Sequence, residues 1–304
     1  MNLRQLEYFV QVAELGSFSK AAGVLDIAQP ALSRQVRALE TELRETLLLR
    51  NGRGVTLTEA GQRLLEHGLD ILQRVSAARD DLAASRGEPA GRIVVGLPPS
   101  VGRQLTLPLI DHFRTRLPNA RLAIVEGLSA HIAEWIVTGR VDLALLHNPE
   151  ADPALEITPL LEEPMCLVQP APAGGARRRA PPPLPLAELA GYRLIMPERS
   201  QSIRRLIETR AVQAGIRLDI AWEVSGIPSI IDLVCAGYGN AVLTRSAVVA
   251  SGRMDKLAVR PLTDPAVTSV LCLAASALKR PSALVRHTSE QLAQHALGMT
   301  RRAR

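Results

Sequence analysis

Residues 29–43 read QPALSRQVRALETEL. Leu32, Val36, Leu39 and Leu43 recur at spacings of four, three and four, which predicts a helix that buries one apolar face. The opposite face is polar, and no acidic residue lies before Leu39. Such a helix fits the major groove of DNA, where Arg can bond guanine and Gln or Ser can reach base edges or phosphates. The candidate DNA-contacting residues of this face are Gln29, Pro30, Ser33, Arg34 and Arg37.

The helix is followed by residues 47–57, LLLRNGRGVTL, in which two apolar segments flank an Asn-Gly turn. This pattern predicts a β-hairpin. With the helical segments before it, the hairpin predicts a winged helix-turn-helix over residues 1–58. We expect Arg50 and Arg53 on the hairpin to meet phosphates or the adjacent minor groove. A small helical bundle with a solvated polar face is the alternative, because residues 1–88 hold 11 basic and 12 acidic residues and DNA binding usually needs local positive charge.

A long helix is predicted next, over residues 59–88. Apolar or small residues recur in it at alternating spacings of four and three, which is typical of a coiled-coil seam between two copies of a chain. The alternative is an amphipathic helix packed on its own domain. The residues expected to carry dimerisation are Leu57, Leu64, Ile71, Val75 and Leu82.

The remainder, residues 89–304, alternates predicted strands and helices, a pattern that indicates parallel β-sheet. Two such series predict two α/β lobes, lobe I over about 91–161 and 268–304 and lobe II over about 162–267. In open α/β sheets, ligands bind beyond the carboxyl ends of strands and near helix N-termini.

Small polar residues stand at three such strand ends, so we expect a small anionic effector between the lobes. The candidate effector-binding residues are Pro99, Ser100, Val101, Ser129, His147, Gln201 and Ser202. The alternative is that the serines only cap their helices and that His147 is a structural residue.

The composition bounds the class of protein. The chain is 47% hydrophobic and 22% charged, which allows a sizeable core and excludes a disordered protein. No apolar run approaches the roughly 20 residues of a membrane span, and the N-terminus lacks a secretory signal, so we expect a cytoplasmic protein. The cysteines, Cys166, Cys235 and Cys272, are too widely spaced for a disulfide framework or a zinc site. Common catalytic motifs are missing, so we expect no enzyme activity, no metal and no cofactor.

Three motifs carry a resemblance to a known family. AA-x-x-L, AQPALSRQ-x-x-LE and GRGV-x-LTEAG stand in order and resemble the N-terminus of LysR-type transcriptional regulators. GRIVVGLPP and TGRVDLALLH fit the family's two-lobe, periplasmic-binding-protein-like effector domain, and GLPPSVG is similar to its nitrogen-assimilation-control branch. Arg44 and Leu48 depart from the family, which usually has Gly and Phe there. The resemblance implies that Gln29, Pro30, Ser33 and Arg34 face the DNA groove. It also implies that Arg50 and Arg53 lie on the wing.

The resemblance also implies a function. We expect a regulator that binds double-stranded DNA at a two-fold or pseudo-two-fold promoter site, as a homodimer or homotetramer, under the control of a small-molecule effector. An inducer-independent regulator of the same family is the alternative. A cytosolic enzyme with an ancillary helix-turn-helix and a two-lobe solute-binding protein are rival classes, disfavoured by the lack of a catalytic motif and by the N-terminal 90 residues.

Overall fold

A computed structural model describes residues 1–51, 54–84, 89–172 and 181–303. The chain forms two compact units, one made chiefly of Met1–Arg86 and the other of the chain from Gly87 onward.

The N-terminal unit is a winged helix-turn-helix followed by a long helix, as the sequence predicts. Its elements are α1 (Leu3–Leu15), α2 (Phe18–Val24), α3 (Gln29–Leu43), the strands β1 (Leu48–Asn51) and β2 (Gly54–Leu57), and α4 (Glu59–Ala84). The two strands pair antiparallel, with Leu48 opposite Leu57 and Asn51 opposite Gly54, so the predicted hairpin is confirmed.

Helix α3 forms because its apolar residues share one face. Leu32, Val36 and Leu39 are fully buried against α1 and α2, whereas Leu43 is 37% exposed. Arg44 ends the helix in the left-handed region, with φ of 57°, where glycine is the favoured residue. The departure from the family pattern at this position therefore leaves the backbone turn in place.

Helix α4 begins against the hairpin and then packs along α1. The Thr58 hydroxyl accepts a hydrogen bond from the Gly61 N–H at 2.9 Å, and the Thr58 N–H donates to the Leu47 carbonyl at 3.0 Å. A Cβ on Gly61 would lie 2.1 Å from that carbonyl oxygen, and a Cβ on Gly68 would lie 3.0 Å from Leu6. The two glycines therefore allow α4 to approach its own domain closely.

The C-terminal unit is a two-lobe α/β domain. Its main sheet has the strand order β4-β3-β5-β12-β6-β11-β7, with β10 also on β6, and β8 and β9 form a separate pair. The strands are β3 (Gly91–Leu97), β4 (Ala120–Glu126), β5 (Leu143–His147), β6 (Leu155–Pro170), β7 (Leu184–Pro185), β8 (Arg193–Met196), β9 (Asp219–Glu223), β10 (Ala241–Thr244), β11 (Leu257–Thr263) and β12 (Thr268–Ser276). The helices are α5 (Pro99–Arg116), α6 (Ser129–Val137), α7 (Ser202–Gln213), α8 (Ile227–Cys235), α9 (Arg245–Ser251) and α10 (Ala283–Ala303).

Strand β6 connects the lobes. Its first half pairs with β12 in lobe I, and its second half pairs with β10 and β11 in lobe II. Strands β3, β4 and β5 are parallel, as predicted, and β12 returns to lobe I antiparallel to β5, so the sheet is mixed. Helices α5, α6 and α10 cover lobe I, and α7, α8 and α9 cover lobe II.

The pattern of residues 104–116 predicts a helix, but α5 begins earlier, at Pro99, because the small polar stretch after β3 is its first turn and not a loop. Strand β11 and the first half of β6 were not predicted from the sequence. Among the helices of the described ranges, none combines the length and the hydropathy needed to cross a membrane.

Candidate functional site

The polar face of α3 is open to solvent. Gln29, Pro30, Arg34 and Arg37 are exposed and Ser33 is half-buried, while the apolar face is buried from Leu32 to Leu39. The Gln29 side chain accepts a hydrogen bond from the Ser19 hydroxyl of α2 at 3.3 Å. The structure therefore brings all five predicted residues of this helix to one surface.

The hairpin residues are less completely described. Arg50 lies on β1, one residue before the turn, and its side chain is outside the described atoms. Arg53 lies outside the described residues. Their predicted roles remain predictions.

The seam residues of α4 divide into two groups. Leu57 and Leu64 pack partly buried against the core of their own domain, where Gly61 and Gly68 are fully buried. Ile71 and Val75 lie further along and are half-buried. Leu57 and Leu64 therefore take part in packing within one chain, and the prediction that they also join two copies stays a prediction. The Leu82 side chain is outside the described atoms.

Two predicted effector residues meet at the carboxyl end of β5. The Ser129 hydroxyl, at the start of α6, accepts a hydrogen bond from the His147 N–H at 3.0 Å. The His147 ring lies 3.5 Å from the Ser269 hydroxyl through Nδ1, and the Asn148 amide donates to that hydroxyl at 3.0 Å. Burial lowers the pKa of His147 to about 4, so the ring is neutral at neutral pH.

The three predicted effector residues at the start of α5 differ in exposure. Pro99 is exposed and Ser100 is half-buried, but the Val101 side chain is 1% exposed within the core of lobe I. Of Val101, only the backbone is therefore left to meet an effector, and the binding role of all three residues stays a prediction. One turn later, the Gln104 amide donates to the Ser100 carbonyl at 3.3 Å and, across the lobes, to the Ser246 carbonyl at 3.4 Å.

In lobe II, Gln201 and Ser202 stand at the start of α7. Gln201 is 8% exposed, and its amide donates to the Ser225 carbonyl at 2.7 Å, so it holds two loops together. The buried Arg204 fixes the same turn, with Nη1 donating to the Pro197 carbonyl at 3.0 Å. These two hydrogen bonds tie the start of α7 to the segments around Pro197 and Ser225.

An ion pair that the sequence did not predict joins the two lobes beside these residues. Arg205 of α7 lies 3.2 Å from the carboxylate of Glu150, which follows β5 in lobe I. Both side chains are well exposed, so the pair contributes about 0–1 kcal/mol. The position of Arg205, one turn after Gln201, was the available signal.

A second missed cluster lies where β6 passes between the lobes. The Ser246 hydroxyl donates to the Glu163 carboxyl at 2.7 Å and lies 3.1 Å from the Thr244 hydroxyl. Burial raises the pKa of Glu163, and the hydrogen bonds from Ser246 oppose this rise. Thr244 ends β10, so the strand-end rule used for β3 and β5 would have found this cluster.

Comparison with known proteins decides the family. Residues 3–62 match the family described as "Bacterial regulatory helix-turn-helix protein, lysR family", and residues 86–297 match the "LysR substrate binding domain". The chain belongs to the LysR family. It is therefore a DNA-binding transcriptional regulator with an effector-binding domain, as the sequence motifs implied.

Curated relatives of this LysR-family regulator differ in name. It is 32% identical over 248 residues to the nitrogen assimilation regulatory protein Nac of Klebsiella aerogenes, covering 81% of this chain and 79% of the relative. It is 30% identical over 295 residues to the DNA-binding transcriptional dual regulator OxyR of Escherichia coli, covering 97% of this chain and 94% of the relative. Since these identities are nearly equal, they support a weak similarity to the nitrogen branch and no more.

Solved structures of the family share the fold. Full-length OxyR of Pseudomonas aeruginosa superposes with a TM-score of 0.75 at 24% identity, covering 97% of this chain and 94% of that chain. CbnR complexed with its target DNA superposes with a TM-score of 0.67 at 24% identity and full coverage of both chains.

Proposed function

We propose that this LysR-family regulator binds DNA through the polar face of α3, as a homodimer, and responds to a small carboxylate held between its lobes. The observation that carries the DNA-binding part is the exposed, acid-free face of α3. The observation that carries the effector part is the ion pair of Arg205 and Glu150.

The α3 face supplies the chemistry of sequence recognition. Arg34 and Arg37 are exposed one turn apart, and a guanidinium can bond two acceptors of guanine at once. Gln29 and Ser33 can donate to and accept from base edges or phosphates. The relative CbnR has been solved with its target DNA, and this supports the same use of the domain here.

Replacing Arg34 by alanine should weaken specific binding by about 1–3 kcal/mol, because a bidentate contact to a base is lost. Fluorescence anisotropy with a duplex selected by the wild-type protein measures the effect. Arg63→Ala is the matched control, since it removes one exposed positive charge from α4 that already pairs with Glu59 at 2.8 Å. If Arg34→Ala binds the selected duplex as tightly as the control does, the role of Arg34 is wrong.

Two copies of the chain are expected to join along the later part of α4. Leu64 packs partly on its own domain, and of the seam residues whose side chains are described, Ile71 and Val75 lie beyond it along α4 and are half-buried in a single chain. Their four-residue spacing lets them share one helix face. A homodimer places two α3 helices on one duplex, and a two-fold DNA site follows from that symmetry.

The effector cleft is proposed to bind a carboxylate at Arg205. The pairing of this guanidinium with the Glu150 carboxylate supports the proposal that it can hold a carboxylate between the lobes. Because the exposed pair is weak, a ligand carboxylate can replace Glu150 at little cost. Ser129 bonds the backbone of His147, three residues before Glu150, and Gln201 lies one turn before Arg205, so the two lobes each bring a polar residue near the ion pair. A ligand that contacts both lobes biases their relative orientation, since it binds one arrangement better than another.

A thermal-shift screen of the full chain against mono- and dicarboxylates should give at least one stabilising compound. At 100 times its Kd, such a compound stabilises the folded state by about 2.7 kcal/mol. Arg205→Gln should abolish the shift, and Glu150→Gln should increase it at equal ligand concentration, because the internal competitor is gone. A shift that survives Arg205→Gln unchanged would place the ligand elsewhere, and a panel without any hit favours inducer-independent regulation.

Two of the three thiols, Cys166 and Cys272, do not favour the peroxide response named for some relatives, which are hydrogen peroxide-inducible genes activators. Burial raises the pKa of Cys166 to about 12 and also raises the pKa of Cys272. Oxidants react with the thiolate, so a raised pKa slows the reaction. We therefore propose ligand binding rather than oxidation of Cys166 or Cys272 as the input.

We also infer that the protein acts in the cytoplasm, where the DNA is, and that it regulates without catalysing a reaction. Both inferences are supported by its membership of a family of transcriptional regulators.

A further inference from the structure

A groove runs beside α3, on the flank that faces the first turn of α1. It is lined from α1 by Asn2, Leu3, Arg4 and Tyr8, and from the α2–α3 turn and α3 by Ile27, Ala31 and Gln35. Ala31 and Gln35 are neighbours of the predicted DNA-contacting residues on the same helix. The groove is therefore continuous with the surface that enters DNA.

Arg4 is held in this groove in a fixed position. Its Nε donates to the Tyr8 hydroxyl at 2.9 Å, and its guanidinium carbon lies 5.7 Å from the centre of the Tyr8 ring. The backbone beneath it is fixed by a capping box, in which Asn2 and Gln5 bond each other's N–H groups at 2.9 and 3.0 Å. Little side-chain entropy is left to lose when Arg4 binds a ligand.

Helix stability does not explain the charge of Arg4. A positive charge in the first turn of a helix is unfavourable, because the helix dipole is positive there, and α1 has no acidic residue in that turn. Tyr8 is 7% exposed and contributes to the core, so the packing needs its ring and not an arginine over it. The arrangement instead presents a guanidinium to the side of α3.

We propose that Arg4 binds a DNA backbone phosphate on the flank of the major groove, with Tyr8 as its positioning residue. A helix lying in the major groove has a phosphate strand on each side, and Arg suits phosphate oxygens because its N–H groups form a planar fork. Residues 1–58 hold seven basic and six acidic residues, so every phosphate contact matters for affinity. The proposal rests on the DNA-binding role of α3.

The test is a salt titration of DNA binding by the full chain, with fluorescence anisotropy on the selected duplex and on a scrambled one. Arg4→Ala should weaken binding to both duplexes about tenfold and reduce the slope of log K against log salt by about 1 per lost contact. Arg4→Lys should keep the slope, since the charge remains. Tyr8→Phe should weaken affinity with the slope unchanged, because only the anchor of the guanidinium is removed.

Several outcomes decide the matter. Arg63→Ala, which removes one positive charge from the same unit, should leave affinity and slope unchanged. Unchanged affinity and slope in Arg4→Ala would overturn the proposal, and so would a loss confined to the selected duplex, because that would indicate a base contact. If the wild-type protein itself shows no preference for the selected duplex, the role of α3 fails instead.

Discussion

Replacing Gly61 by alanine should destabilise the DNA-binding domain by about 3 kcal/mol or more. The added Cβ would lie 2.1 Å from the Leu47 carbonyl oxygen, a backbone atom that cannot rotate away. The same carbonyl accepts the Thr58 N–H, so moving it also disturbs the start of α4 and the hairpin. Overpacking of a rigid contact costs about 1–3 kcal/mol, and the lost hydrogen bonds add to this cost.

Gly23→Ala is the matched control, because Gly23 is also a helical glycine of this domain and has no atom within 4 Å of its added Cβ. Glycine in a helix costs about 1 kcal/mol relative to alanine, so the control should be neutral or stabilising. Scanning calorimetry of the full chain and DNA binding at 37 °C measure both variants. A Gly61→Ala protein that melts like Gly23→Ala would show that α4 does not approach Leu47 as described.

Acidification should destabilise the effector-binding domain through His147. The pKa of this ring is lowered by burial from 6.5 to about 4, so between these values the unfolded chain binds a proton that the folded chain does not. The free energy of unfolding therefore falls as pH decreases from about 6.5 to 4, by about 3 kcal/mol in all. Glu163 acts in the opposite direction, because its raised pKa makes the folded chain hold a proton more tightly.

Urea unfolding at several pH values between 7 and 4 measures how the contributions of His147 and Glu163 change the free energy of unfolding. The two tryptophans, Trp135 and Trp222, both lie in the C-terminal unit and report its unfolding. His147→Asn keeps a polar group near Ser269 and removes the titration, so its stability should fall less on acidification. His131→Asn, a change at an exposed histidine, serves as the control. If the wild type and His147→Asn lose equal stability on acidification, His147 is not the main cause of the acid sensitivity of this domain.

Local patterns in the sequence predicted the DNA-binding domain well. The stripe of Leu32, Val36 and Leu39 indicated which face of α3 is buried, and the polar remainder gave the candidate contacts. The Asn-Gly turn indicated the hairpin. These patterns are decided by neighbours within a few residues, which is why one sequence was enough to find them.

The heptad series of α4 shows what periodicity leaves undetermined. The same spacing suits packing on another copy of the chain or on the chain's own α1. In the structure, the first half of α4 packs on its own domain. Gly61 and Gly68 were the residues that indicated packing on the chain's own domain, since a close approach of α4 to that domain leaves no room for a Cβ at these positions. Choosing between the two required the position of α1.

The proposed effector site was predictable only where strand ends define it. Ser129 and His147 lie together, because parallel strands end at one edge of the sheet. The pairing of Arg205 with Glu150 joins residues 55 positions apart on different lobes, and no local pattern specifies it. The burial of the Val101 side chain was not predicted, because it follows from the start of α5 two residues earlier.

Selection of random duplexes by the full-length protein tests the central claim most directly, namely that two copies read DNA through α3. The account predicts an enriched inverted repeat whose half-sites are about one helical turn apart, or a multiple of it. It also predicts that Arg34→Ala loses the preference at one position of each half-site. Enrichment of no sequence, or an unchanged motif with Arg34→Ala, would contradict it.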